Sequence, residues 1–342
     1  MSQLDSERIM VEDSVEAVND LFLERGWGDG LPIIPPSEEA VERMLAGTDK
    51  EPGYVVAAVP PRYAKATVEK IAINAVMAGC LPEYLPVIIT AVEAMCEEAF
   101  NLRGLQATTH PSAPLVVVNG PIAKELDINA KSGAFGPGWR SNATIGRAIR
   151  LILMNIGGAW PGITDMSTIG QPCKYTFCIA ENEEENPWEP LHVERGFDAS
   201  TSTVTVVAWA ENPYDVNDPT SVTAEESLDT IASAMVHMGN NTLLYYWNGG
   251  PTIAICPEHA DMIAKDGFSK SDVKAFLYEK ARIPRKEFSK SCIKRNFADL
   301  DEDALIPVAT DKDRITIIVV GGPGKHSAVV PSRFPHITKA IL

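Results

Sequence analysis

At 342 residues the chain holds about two domains of roughly 150 residues, or one large unit, and it needs no disulfide staples to build a core. Its 30 Lys and Arg against 46 Asp and Glu give a formal charge of −16, an acidic surface that repels phosphate backbones and argues against nucleic-acid binding. With 45% hydrophobic and 22% charged residues it has a globular, not a disordered, composition.

The first residues, MSQLDSERIMVEDSVEAVNDLF, are acidic and lack the basic and apolar regions of a secretory signal, and no 18-residue apolar run occurs. A cytoplasmic protein with no membrane partner is expected. Cys80, Cys96, Cys173, Cys178, Cys256 and Cys292 are scattered and form no CxxC. They read as reduced thiols, outside the thioredoxin and zinc-ribbon patterns.

Taken in chain order, Val11, Val15, Val18, Leu21 and Phe22 recur at helical spacing up to Gly26. After GWGDGLPIIPP, Ser37 reads as the cap of a helix reaching Leu45, and Tyr54–Val59 as a small strand. Lys65–Gly79 is amphipathic, and a second helix after Pro82 turns Leu85, Ile88, Ile89, Val92, Met95 and Cys96 inward. Pro114–Val118 is a continuous apolar run, which predicts a strand buried on both faces. Asn142–Ile156 predicts a long helix, Lys174–Ala180 and Thr203–Trp209 strands, and Thr223–Met238 a helix. Strand Thr252–Cys256, helices Pro257–Lys265 and Ser271–Lys280 and strand Arg314–Val320 complete the chain. Short β-branched strands alternating with helices predict an α/β fold with a mixed or mostly parallel sheet flanked by helices. The divisions expected are a helical arm and linker over 1–60 and two α/β lobes over 61–200 and 201–342, unless the chain is one unit.

Two glycine loops carry the clearest chemical signals. In ITIIVVGGPGKHSAVVP a strand empties into Gly321, Gly322 and Gly324, followed by Lys325, His326 and Ser327. Glycines there let successive N–H groups form an anion-binding concavity at a strand end. The spacing is not that of a Walker A loop. In SGAFGPGWRSNATIGRAIR, Gly136 and Gly138 precede a helix entry with Arg140, Asn142, Thr144 and Arg147, where unpaired N–H groups and guanidinium forks attract anions. Candidate catalytic groups are Cys80 at a helix junction, His110 before a strand, Cys178 and the strand-end carboxylate Glu181. Cys256, between a strand and a helix N-terminus, is placed for a lowered pKa, although Cys80 and Cys178 rank ahead of it. Glu181, Glu184 and His192 offer ligands to a divalent metal, against a default of a solvated acidic loop.

The segments GWGDGLPIIPP, ATVEKIAINAVMAGCLPEYLPVI, FNLRGLQATTHPSAPLVVVNGPI, GPGWRSNATIGRAIRLILMNIGG, KYTFCIAENEEENPWEPLHVERGF and VVGGPGKHSAVVP together resemble a bacterial family labelled thioredoxin-like or thiol-disulfide oxidoreductase and associated with UGSC-type (seleno)proteins. The resemblance spans nearly the whole chain and implies one long, enzymatic unit partnered with a separate thiol or selenol protein. The chain itself has neither UGSC nor CxxC. The expected function is an enzyme acting on a small anionic molecule held by the two glycine loops, with Cys, His or Glu doing nucleophilic or acid–base chemistry, redox or carbon–heteroatom cleavage included. The assembly expected is a homo-oligomer. The alternatives are a non-catalytic subunit of a thiol or selenol enzyme, docking through Tyr245, Tyr246, Trp247 and the 181–194 loop, and a metal-dependent hydrolase or lyase.

Overall fold

The computed structural model describes residues 4–240, 242 and 249–342. Helices α1 (Val15–Glu24) and α2 (Glu38–Leu45) start on Ser14 and Ser37, whose hydroxyls accept from the N–H groups of Ala17 and Ala40. A hairpin of β1 (Val55–Val59) and β2 (Ala64–Thr67) leads to α3 (Val68–Ala78), capped by Thr67 and closed by left-handed Gly79. Then come α4 (Leu85–Met95), α5 (Leu102–Gln106), β3 (Ala113–Asn119), α6 (Pro121–Glu125), α7 (Arg140–Asn155), β4 (Cys178–Ala180), α8 (Leu191–Glu194), β5 (Thr203–Ala210) and β6 (Tyr214–Asn217). The last part runs α9 (Ala224–Met235), β7 (Thr252–Ile255), α10 (Pro257–Lys265), α11 (Lys270–Lys280), β8 (Arg282–Pro284), α12 (Lys290–Asn296), β9 (Leu305–Pro307), β10 (Thr316–Val319), β11 (His326–Val330) and β12 (Ile337–Ala340).

The fold is α/β with two mixed four-stranded sheets. One has the order β12-β5-β3-β4, with β3 and β4 parallel; the other has β10-β7-β11-β6, with β7 and β10 parallel. Side chains alternate across each strand. In the first sheet Val116, Val118, Cys178, Ala180, Val204 and Val206 face the core shared with α3, α4 and α7. In the second, Ile253, Ile255, Ile317, Val319 and Val329 face the core under α9, α10 and α11. The opposite faces, with Leu115, Val117 and Ile179 from one sheet and Ala254, Ile318 and Val330 from the other, form a third core between the sheets. The layers are therefore helix, sheet, sheet, helix. The apolar run at Pro114–Val118 is buried on both faces as expected, but a second sheet, not a second helical layer, covers one of them. β5 and β12, both after residue 200, belong to the first sheet.

Local differences from the expected elements have identifiable causes. The start of the expected Lys65–Gly79 helix is strand, because Lys65 and Ala66 pair with Ala58 and Ala57 of the hairpin. The expected strand Lys174–Ala180 shortens to β4: Pro172–Lys174 is a 3₁₀ turn, and Lys174 Nζ is drawn 2.7 Å from buried Asp165. β6, β11 and β12 are additional strands of four or five residues that carry polar or charged side chains.

Candidate active site

Cys256 follows β7 and is the N-cap of α10, with Pro257 at the first helical position. His259 is the third helical residue, the position whose side chain turns back towards the cap. Three neighbouring strands close around the pair. Ser327, near the start of β11, accepts the Cys256 backbone N–H at 3.1 Å and lies 2.8 Å from His259 Nδ1 through the same hydroxyl. Asp218, just after β6, accepts on its backbone carbonyl from His259 Nε2 at 3.1 Å. A carbonyl can only accept, so Nε2 carries a proton and Nδ1 is the nitrogen that exchanges one. The ends of β6, β7 and β10 and the start of β11 meet here, at the carboxyl edge of the parallel β7/β10 pair.

Cys256 and His259 are fully covered, and Ser327 and Asp218 nearly so. Burial opposes ionisation of the Cys256 thiol. The His259 imidazole, the His259 backbone N–H, the histidine charge and the Ser327 hydroxyl outweigh it, and the thiol pKa falls below its ordinary 9.0. The sulfur approaches these groups without closing an N-cap hydrogen bond of normal geometry. Burial likewise lowers the His259 pKa, but Cys256 and Asp218 raise it further, and it ends above 6.5. The two shifts run in the directions that bring the thiolate–imidazolium form closer. Asp218 Oδ1 accepts from Ser221 N at 3.2 Å, while its buried Oδ2 has no hydrogen-bond partner.

The loop between β10 and β11 lies over this corner. The backbone N–H groups of Gly324 and Lys325 converge on one carboxylate oxygen of Glu258, the residue before His259 on α10. Lys325 also donates from Nζ to the Ser221 carbonyl at 3.0 Å and accepts from the Asp218 N–H at 3.2 Å.

No family model, curated protein or solved structure matches the chain.

The two glycine loops meet. Gly321 N–H donates to Ala130 O at 2.8 Å, and a Cβ on Gly322 would collide with Ser132. Their expected anion-binding groups, however, are engaged within the protein. Arg140 forks onto the Gly79 carbonyl at 3.0 and 2.9 Å, and Arg147 forks onto Asp29 at 2.8 and 2.9 Å. Asn142 exchanges hydrogen bonds with the backbone of Asn129, Thr144 donates to Arg140 O, and Gly136 closes a turn onto Gly133. Gly138 has a left-handed φ of 126° before α7, a conformation that suits glycine. His326 pairs with Asp215 at 2.9 Å on the surface.

Of the expected catalytic groups, Cys80 and Cys178 lie in the first core. Burial pushes the Cys80 thiol up to about 12 and the Cys178 thiol up further, so both stay protonated at neutral pH. Burial also pushes Cys96 up to about 12 and Cys173 up to about 11. His110 precedes β3 and lies 3.3 Å from Arg333, which follows β11, so it sits at the far ends of these strands from Ser327 and Cys256. Burial, then Arg333, lowers its pKa. Glu181 does end β4 but is sealed inside. It accepts from Asn119 Nδ2 at 2.6 Å, Leu191 N at 2.7 Å and Asn186 Nδ2 at 3.0 Å, and burial raises its pKa. Glu184 is paired on the surface with Lys131 and Lys124, and His192 is wholly buried near Glu183. Glu181, Glu184 and His192 are therefore not brought together, and among the described residues no group of three or more His, Cys, Asp or Glu is placed to hold a metal. No helix among the described residues is long and apolar enough to cross a membrane. Tyr245, Tyr246 and Trp247 lie outside the described residues.

The sequence reading passed over His259 and Asp218. Cys-Pro-x-His at a strand-to-helix junction was a usable signal, because a cap residue and the third helical residue face each other. Asp218 had no such signal, since only the pairing of β6 with β11 brings it near.

Proposed function

We propose that the protein is an enzyme in which the Cys256 thiolate attacks an electrophilic centre of a small molecule, with His259 holding and returning the proton. The observation that carries this reading is geometric: Cys256 caps α10 one turn from His259, the Ser327 hydroxyl meets both the Cys256 N–H and His259 Nδ1, and the Asp218 carbonyl fixes Nε2–H, at a helix N-terminus whose dipole favours the thiolate. Asp218 and Ser327 act as positioning residues. The Asp218 carbonyl fixes Nε2–H, and Ser327 holds the Cys256 backbone and the Nδ1 edge of the ring in register. As the sulfur–substrate bond forms, the leaving group departs with its electron pair and takes the proton from Nδ1. That balance covers substitution at carbon and carbon–heteroatom cleavage.

Thiolate absorbance near 240 nm, read as wild type minus Cys256→Ser across pH, tests this without any reagent having to reach the sulfur. The expected midpoint lies below 9.0. In His259→Gln it moves up, because the largest opposing contributions are gone while the burial remains. A wild-type midpoint at or above 9.0, or no movement in His259→Gln, overturns the assignment.

A further inference from the structure

Resting on the Cys256 reading, we propose that the paired N–H groups of Gly324 and Lys325 are the carboxylate subsite of this site. Glu258 occupies that subsite in the closed form, and the carboxylate of an electrophilic substrate displaces Glu258 and frees residues 323–325 from above the thiol.

The occupant shows which chemistry the subsite accepts. Two successive N–H groups aim at one carboxylate oxygen, and Gly324 and Lys325 hold φ values of 136° and 54°, the left-handed region that turns adjacent N–H groups the same way. The charge of Lys325 adds to the attraction, and together these groups hold the Glu258 carboxyl below its ordinary range. Glu258 sits on the solvent side of α10, so its carboxylate can swing into water at little cost in burial. Gly324 and Ser327 are three residues apart at one loop–strand junction, and the Ser327 hydroxyl holds the Cys256 backbone. The subsite and the thiol are thus linked through the first turn of α10, which carries both Cys256 and Glu258, and through the 324–327 junction.

Iodoacetate and iodoacetamide separate this proposal from plain thiol reactivity. Both alkylate by the same step, in which the S–C bond forms and iodide leaves, and only the first carries a carboxylate. The rates are read by mass spectrometry of the Cys256 peptide in the full chain, with glutathione as the free-thiol reference. Relative to glutathione, iodoacetate is expected to gain on iodoacetamide at Cys256 by at least about tenfold, as charge-assisted hydrogen bonds imply. Its rate should also saturate with concentration. Acetate should slow iodoacetate by competition and speed iodoacetamide by displacing Glu258. Glu258→Gln should speed iodoacetamide about tenfold and remove its response to acetate.

A glutathione-like ratio without saturation, alkylation by neither reagent, or an unchanged iodoacetamide rate in Glu258→Gln each overturns the subsite. The absorbance titration judges the thiolate separately. A low midpoint with a glutathione-like ratio leaves the nucleophile and removes the subsite, whereas an ordinary midpoint removes the reading on which the subsite rests.

Discussion

Arg147 tests most directly whether the basic helix entry serves a ligand or the fold. Its guanidinium donates to both Asp29 oxygens at 2.8 and 2.9 Å and to the carbonyls of Leu31 and Pro32 at 3.2 and 2.9 Å. The Asp29 side chain is 3% exposed and that of Arg147 15%. Removing one partner of a buried ion pair costs about 3–5 kcal/mol when the other stays buried. Here Asp29 has an escape. Helix α1 contributes no fully buried residue; its partly buried Val18 and Phe22, with Leu4, rest on the first core, and polar contacts tie the arm down: Ile33 N to Asn19, Asn155 to the Trp27 carbonyl, and the N–H groups of Asp5 and Ser6 to Glu69. The arm peels away and Asp29 rehydrates where these bonds, at about 1 kcal/mol each, and that partial apolar burial together cost less than a buried unpaired Asp29, so the loss is capped at roughly 3–5 kcal/mol. Arg147→Ala is therefore expected to speed tryptic cleavage after exposed Arg25 at least about tenfold, with a smaller fall in the urea midpoint of the remainder. Cleavage at the wild-type rate together with a stability change within about 0.5 kcal/mol would show that Arg147 does not hold the arm, and would return it to the set of candidate anion ligands.

Gly146 on α7 faces the β4 side of the chain, and a Cβ there would fall 2.5 Å from Phe177 N, a backbone atom that cannot rotate aside. Gly146→Val is expected to lower stability by about 2 kcal/mol or more, read as the urea midpoint, and an unchanged midpoint refutes the close packing. His336 is buried, and burial together with Arg195 and Arg314 pulls its pKa from 6.5 down to about 3. A depressed folded-state pKa means that its contribution is intact above 6.5 and is lost as pH falls towards 3. At pH 5 the loss is about 2 kcal/mol, from 1.5 pH units at about 1.4 kcal/mol each. His336→Gln should escape that loss, so urea midpoints at pH 7 and pH 5 should differ less in the variant; equal acid sensitivity refutes the assignment.

How much was legible in the sequence depended on whether a signal was local. The runs at Pro114–Val118, Thr252–Cys256 and Arg314–Val320 read correctly as buried strands because β-branched side chains fill consecutive positions. They could not say what buries the second face, since a sheet and a helix layer ask for the same residues. Arg140 and Arg147 stood at a helix entry, where a ligand clamp and an internal tether look alike. Asp29, which decides between them for Arg147, is 118 residues away. The glycine loop was expected to hold an external anion; the group its N–H donors meet in the structure is Glu258, a side chain of this chain from a different element. The thiols were ranked by junction type alone, and burial reverses that order: Cys80 and Cys178 sit in an apolar core, whereas Cys256 has a histidine one helical turn away.

The same contacts say which part of the glycine loop is free to move. Its first half is tied to the first sheet: Asn182 N–H donates to Val319 O at 2.8 Å, Asn182 Nδ2 to Gly321 O at 3.2 Å, and Gly321 N–H to Ala130 O at 2.8 Å. Gly322 packs against Ser132, whose hydroxyl lies 1.9 Å from where an added Cβ would stand and would have to move to make room for one. Its second half leans on Glu258, which solvent can take over, and on the 218–221 segment through Lys325. The carboxylate contact and the Lys325 ties can therefore break while the sheet-to-sheet contacts at Gly321 and Gly322 stay whole. Motion of that half of the loop is local and does not require the inter-sheet core to open.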